Sequence, residues 1–225
     1  MIRNIIFDLD GTLVDSAKDI INCLVKSCHE NNTHYKIENE RSLIGPSLSE
    51  MINIVSPQLS GQEKEKLVND FKNRYDNSDY ENTNLMNGVM ELLVDLKEMK
   101  VNIYLCTNKR LVPTRRLLKK LGIEKFFDRV FTIDFNNGKL MSKSEVLRYM
   151  MCELKLEKEE TIYVGDTASD IIAASENELT PIIFLDGYGK KEEIFKLKPR
   201  YTIRKMSDLT TMINNSYMEG EEPDD

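Results

Sequence analysis

A buried strand that ends in two charges leaves few folds open. In this 225-residue chain the strand lies in Asn4-Ile5-Ile6-Phe7-Asp8-Leu9-Asp10-Gly11-Thr12-Leu13-Val14-Asp15-Ser16. A β-prone apolar run stops at two carboxylates and continues at once into a glycine and a hydroxyl, which is how a buried strand delivers polar groups to its carboxyl end. Period-two alternation sends Asp8 and Asp10 to the same side, where their charges repel unless a cation or a shared proton occupies the space between them. The arrangement points to a metal site. A plain turn after a strand would explain the aspartates alone.

Beyond Ser16 the apolar spacing is helical up to residue 84, which predicts an all-helical insertion over 17–84. Ser16 reads as the N-cap of its first helix, with Asp19 three residues on and a stripe of Ile20, Ile21, Leu24, Val25 and Cys28. Ser47-Leu48-Ser49-Glu50 and Ser60-Gly61-Gln62-Glu63 read as capping boxes. The return runs through the turn-prone segment 82–88. From there β and α patterns alternate, with strands expected near 101–106, 130–133, 161–164 and 181–185. Such alternation predicts a parallel, doubly wound α/β sheet formed by 1–16 and 85–218. Ligands of such sheets bind beyond the carboxyl ends of the strands, and Asp8, Thr107 and Asp166 all fall there.

Composition narrows the function classes. The net charge of -7 is concentrated at 219–225, where five acidic residues stand without a basic one, leaving about -2 for the rest. Bulk charge therefore makes no case for nucleic acid as a partner, and the tail is expected to be disordered. Nothing resembles a membrane span or a secretory leader, so the cytoplasm is the expected compartment. Cys23, Cys28, Cys106 and Cys152 show no metal spacing and read as reduced, buried thiols. His29 and His34 lie in a polar stretch and read as surface residues. Nucleophile elbows, phosphate-cradling lysine loops and the cysteine–arginine phosphatase pattern are missing, and Gly187-Tyr188-Gly189 reads only as a loop.

The apolar run ending in Asp8-Leu9-Asp10-Gly11-Thr12-Leu13-Val14-Asp15-Ser16 resembles the haloacid dehalogenase superfamily of phosphotransferases, in its phosphoglycolate phosphatase-like and 5'-nucleotidase-like branch. Three further stations match in order: Thr107, Lys143 and the pair Asp166/Asp170. The resemblance implies a Rossmann-like core with an inserted helical cap. It implies Asp8 as the nucleophile that forms an aspartyl phosphate and Asp10 as general acid and base. Retention of an aspartate at position 10 argues against the dehalogenase branch, because halide departure needs no proton. Mg²⁺ would be held by Asp8, the Asp10 carbonyl and Asp166, with Asp170 behind them. Phosphate would be bound through Leu9, Gly11, Thr107, Asn108 and Lys143. Lys143 stands in Met141-Ser142-Lys143-Ser144-Glu145-Val146 without the following proline of many phosphoglycolate phosphatase-like members, and Lys139 competes for its role.

By the same resemblance, specificity would come from the cap loop, at Arg41, Gly45, Pro46 and Ser47. The partner expected is a small phosphorylated metabolite, phosphoglycolate-like or a nucleoside monophosphate, handled by a monomer or homodimer. A sugar phosphomutase of the same superfamily and a phosphoacceptor signalling module are the alternatives. The second is disfavoured by chain length and by the helical insertion after the first strand.

Overall fold

The computed structural model describes residues 1–36 and 40–218; the acidic segment 219–225 lies outside the described residues. In chain order the strands are β1 (Asn4–Phe7), β2 (Val14–Asp15), β3 (Asn84–Leu85), β4 (Asn102–Thr107), β5 (Arg129–Thr132), β6 (Thr161–Gly165), β7 (Thr180–Phe184) and β8 (Tyr201–Ile203). Six of them form one parallel sheet in the order β5-β4-β1-β6-β7-β8. β1 is central, and Phe7 pairs with Leu105 on one side and Val164 on the other, so the carboxyl ends of three neighbouring strands finish level. That register brings Asp8, Thr107 and Asp166 together although they are far apart in the chain.

Alternation along β1 sorts its side chains between two apolar layers. Ile5 and Phe7 pack with Leu92, Leu93, Leu96 and Leu209 from α4 (Val89–Glu98) and α9 (Met206–Met218). Ile6 packs on the other face with Val146, Leu147, Met150 and Ala174, carried by α6 (Lys143–Leu154) and α7 (Ala168–Glu176). A side chain of this kind contributes about 1.5–3 kcal/mol on full burial. The sheet is thus the doubly wound one expected. β8, α8 (Lys191–Lys196) and α9 extend it past residue 185, where the sequence pattern made no prediction.

The helices α1 (Ala17–Glu30), α2 (Leu48–Val55) and α3 (Gly61–Asp76) bury Leu24, Ile52, Leu67, Phe71 and Tyr75 in a cluster of their own, joined by Leu117 of α5 (Leu111–Lys120) and by Tyr188, both from the sheet-bearing part. Both predicted capping boxes are present, at Ser47/Glu50 and Ser60/Glu63. Ser16 stands at the expected N-cap position of α1, but its backbone is helical and its hydroxyl makes no cap bond, donating instead to Asp10. A buried carboxylate is a stronger acceptor partner than the cap geometry offers. Asp19 likewise turns away from the helix start and accepts from Asn82 N, Asn82 Nδ2 and Thr83 Oγ1, which pins the chain's return.

The two crossings between helices and sheet pair with each other as β2 and β3, Val14 opposite Leu85 and Asp15 opposite Asn84, and Met86 N donates to Leu13 O at 2.9 Å. Two-residue strands leave no periodicity to detect. Cys23, Cys28 and Cys106 are buried, whereas Cys152 is exposed on α6, against expectation. No helix among the described residues is long and apolar enough to cross a membrane.

Candidate active site

Asp8 continues β1 by one residue and is 3% exposed. Lys143 Nζ lies 3.0 Å from Asp8 Oδ1 and 2.6 Å from Asp170 Oδ1. The lysine is placed by an S-x-x-E signal: Ser142 and Glu145 form a capping box, which makes Lys143 the first residue of α6. Burial pushes the Asp8 carboxyl up to about 7; Lys143 opposes this, and Asp170 and Asp10 reinforce it. For Lys143 burial acts downward, but Asp170 and Asp8 outweigh it and hold the ammonium above its ordinary range. The competing Lys139 is exposed in a loop.

Asp166 is fully buried, and it accepts from Thr12 Oγ1 at 3.0 Å and from Tyr188 N at 2.7 Å. Burial first, then Asp170 and Asp8, raise its carboxyl well above the usual range. Asp170 differs. It accepts from five donors: Lys143 Nζ, Tyr163 OH, Asp166 N, Thr167 N and Thr167 Oγ1. Burial would raise it, yet Lys143 and Thr167 bring it below the ordinary value.

Asp8, Asp166 and Asp170 each offer a carboxylate oxygen within 4.8 Å of the others. Three buried carboxylates facing one ammonium, with two of them pushed toward protonation, need further positive charge to stay ionised together. An all-oxygen donor set suits a hard cation such as Mg²⁺. Asp8 and Asp166 have the freer oxygens, and the donors around Asp170 fit it to a supporting place.

Position 11 must be glycine for space rather than for its amide. Gly11 has φ +86, and a Cβ there would collide with Asp166 Oδ2 and the Tyr188 ring. Its N–H donates to Val14 O at 2.8 Å, so the loop itself uses that donor. Leu9 is buried and its carbonyl accepts from Leu13 N and Val14 N, so only its amide remains to face a ligand.

At the tip of β4, Thr107 is buried and its hydroxyl accepts from Lys109 N at 3.1 Å. Asn108 Nδ2 donates to Gly45 O at 2.8 Å, tying the strand tip to the loop before α2. A cavity of about 850 Å³ opens above these groups. Asp8, Asp10, Thr107 and Lys143 form its floor, and Ile44, Met51, Val68 and Phe71 form an apolar wall opposite. Gly45, Pro46 and Ser47 line it too, although the Ser47 hydroxyl is engaged with Glu50. Arg41 is exposed instead of lining this cavity among the described residues, 2.9 Å from Asp15 Oδ2 and stacked over Tyr188. A nearby carboxylate and a ring hold a guanidinium better than an apolar wall does.

Sequence reasoning missed two residues. Lys109 Nζ sits 3.1 Å from Asp10 Oδ2. Its signal was available, since a lysine two places past a strand tip stands where Asp10 stands relative to Asp8. Tyr188 gives its backbone N–H to Asp166, while its hydroxyl accepts from Ser16 N and Ala17 N and donates to Asp15. Nothing in Gly187-Tyr188-Gly189 alone announces that.

A parallel sheet whose level strand ends gather carboxylates, a buried lysine and hydroxyls under a cavity has its polar groups where doubly wound sheets bind ligands. The family model of haloacid dehalogenase-like hydrolases matches residues 5–183. The chain belongs to that family. It is 28% identical over 193 residues to the tyrosine-protein kinase PtkA of Mycobacterium tuberculosis, which covers 85% of this chain but only 65% of that protein. It is 29% identical over 218 residues to a phosphoglycolate phosphatase of Aquifex aeolicus, covering 96% of this chain and 99% of the relative. A predicted phosphatase from Clostridium acetobutylicum superposes with a TM-score of 0.85 at 25% identity, over 96% of this chain and 99% of that one.

Proposed function

We propose that this protein is a Mg²⁺-dependent phosphatase that hydrolyses a small phosphomonoester through an aspartyl phosphate on Asp8. The observation that carries the reading is the division of labour between neighbouring carboxylates: Asp8 is paired with Lys143, and Asp10 is held separately by Lys109 and Ser16. The near end-to-end match to a phosphoglycolate phosphatase supports ester hydrolysis over the kinase-type transfer named for the partly covered relative.

Lys143 fixes one oxygen of Asp8 and leaves the other to attack phosphorus, forming the Asp8 O–P bond as the bond to the leaving oxygen breaks. Asp10 passes a proton to that oxygen. In the second step Asp10 takes a proton from water as the water oxygen attacks phosphorus, the Asp8 O–P bond breaks, and inorganic phosphate leaves. Thr107 and Lys143 receive the phosphoryl oxygens. When bound by Asp8, the Asp10 carbonyl and Asp166, Mg²⁺ supplies the positive charge that offsets phosphate–carboxylate repulsion, about 4 kcal/mol per charge pair at 4 Å near a surface. Residues 17–84 act as a cap that shapes the cavity around the rest of the ester, with phosphoglycolate-like compounds and nucleoside monophosphates as the substrate classes.

Asp10→Asn keeps the nucleophile and loses the proton relay. Given acetyl phosphate and Mg²⁺, it should accumulate a hydroxylamine-sensitive adduct, located on Asp8 by intact mass and peptide mapping. An adduct on Asp10 or Asp166, or turnover by Asp8→Asn, overturns the assignment.

A further inference from the structure

The Asp10 carboxylate is gripped on both oxygens. Ser16 Oγ donates to Oδ1, and Lys109 Nζ lies 3.1 Å from Oδ2. Lys109 is only 9% exposed, and its backbone N–H donates to Thr107 Oγ1, which fixes the start of its side chain at the tip of β4. Its other neighbour is Tyr75 of α3: the ammonium donates to the Tyr75 hydroxyl at 2.9 Å and sits 4.6 Å from the ring centroid. Tyr75 is 2% exposed, stacked on Phe71 at 5.4 Å and edge-on to Tyr80 at 5.2 Å, so its ring moves only with α3. Burying an ammonium costs several kcal/mol unless partners compensate it. Among the described residues Asp10 is the one carboxylate in ion-pair contact with Lys109. Packing alone gives no reason to keep such a charge there.

We infer that Lys109 is a positioning residue for Asp10, held in place by Tyr75, so that proton transfer at the leaving oxygen depends on the seating of α3 against the sheet. The inference rests on the phosphatase reading above. Lys109 takes no part in the proton movement itself. As the bond between phosphorus and the leaving oxygen breaks, the proton of Asp10 moves to that oxygen, and the fixed ammonium holds the carboxylate it leaves behind in one orientation. Loss of Lys109 therefore matters in proportion to how poorly the oxygen leaves without a proton.

The test uses substituted phenyl phosphates, from phenyl to p-nitrophenyl, which share one body while the basicity of the leaving oxygen falls. With Mg²⁺, Lys109→Met should lower kcat about 100-fold on phenyl phosphate and about 10-fold on p-nitrophenyl phosphate, with KM within about twofold of wild type. Tyr75→Phe keeps the ring and loses the hydroxyl, and should show the same trend at about fivefold and twofold. An equal loss on all esters, or a loss confined to KM, overturns the inference by making Lys109 a packing or phosphate-binding residue. Should Lys109→Met fail to fold, Tyr75→Phe carries the same contrast and a flat loss there has the same force. Wild type and Asp10→Asn are run alongside. If wild type releases no phosphate, or Asp10→Asn shows no dependence on the leaving oxygen, the phosphatase reading itself fails and takes the inference with it.

Discussion

The two sides of the cavity are built by opposite means. On the sheet side the polar groups answer one another within one scaffold: Lys143 with Asp8 and Asp170, Asp170 with Tyr163 and Thr167, Asp166 with Thr12 and the Tyr188 backbone. On the helical side the wall is Ile44, Met51, Val68 and Phe71, and it touches the centre through the Tyr75 hydroxyl and the Gly45 carbonyl. Mutually bonded charges at level strand ends cannot rearrange one at a time, which suits groups that must hold their geometry through a reaction. An apolar wall excludes water and selects shape, and it tolerates exchange of one side chain for another of similar volume. The contrast supports the proposed division, with chemistry on one side and selection on the other.

Four measurements would break or sharpen that contrast. The largest effect belongs to Asp8→Asn, which should lower phosphate release by about 10⁴-fold or more on every ester, whereas Phe71→Ala should alter the ranking of esters and spare some of them. A uniform collapse from Phe71→Ala would erase the division. Next comes the pH response of the metal-free protein. Asp8 is raised from 3.8 to about 7, so its proton-linked stability is complete below 3.8 and lost as pH climbs through 7. Chemical denaturation of wild type should thus lose up to roughly 4 kcal/mol relative to Asp8→Asn between pH 4 and 8. Parallel curves for the two proteins would show that Asp8 titrates normally.

Third, Mg²⁺ at about 100 times its dissociation constant should stabilise wild type by about 2.7 kcal/mol in thermal melts. Asp166→Asn should remove that shift, Phe71→Ala should keep it, and chelator should stop turnover. A shift that survives in Asp166→Asn would move the cation elsewhere. The smallest effect is on the helical side: Ser47→Ala removes the α2 capping box and should cost about 1 kcal/mol in denaturant titrations, leaving the order of ester preference unchanged. A reordered preference would return Ser47 to a specificity role.

The same contrast explains what the sequence made legible. Strand tips are readable because a buried strand admits polar groups only at its ends, so Asp8, Thr107 and Asp166 stand out against Ile, Val and Leu. Capping boxes are equally local, and the one at Ser142 and Glu145, overlooked in the sequence reading, fixes the start of α6. Lys109 was passed over despite its place two residues past a strand tip, because a lysine among 31 basic residues reads as solvated until its neighbours are known. Tyr188 was hidden because its partners Ser16 and Asp15 are more than 170 positions away. Ser16 was placed at the N-cap, but its hydroxyl's partner was hidden for a related reason: a hydroxyl before a helix caps by default, and only the folded chain shows the charged acceptor beside it.

The paired crossings β2 and β3 have a mechanical consequence. A single tether would let the helices swivel and slide, whereas two strands bonded side by side, with Tyr188 gripping the amides just beyond them, resist twist and shear and bend only across their common plane. Approach of the helices to the sheet is thereby restricted, and under that restriction the Gly45–Asn108 and Tyr75–Lys109 contacts, which both bridge the two parts, would change together.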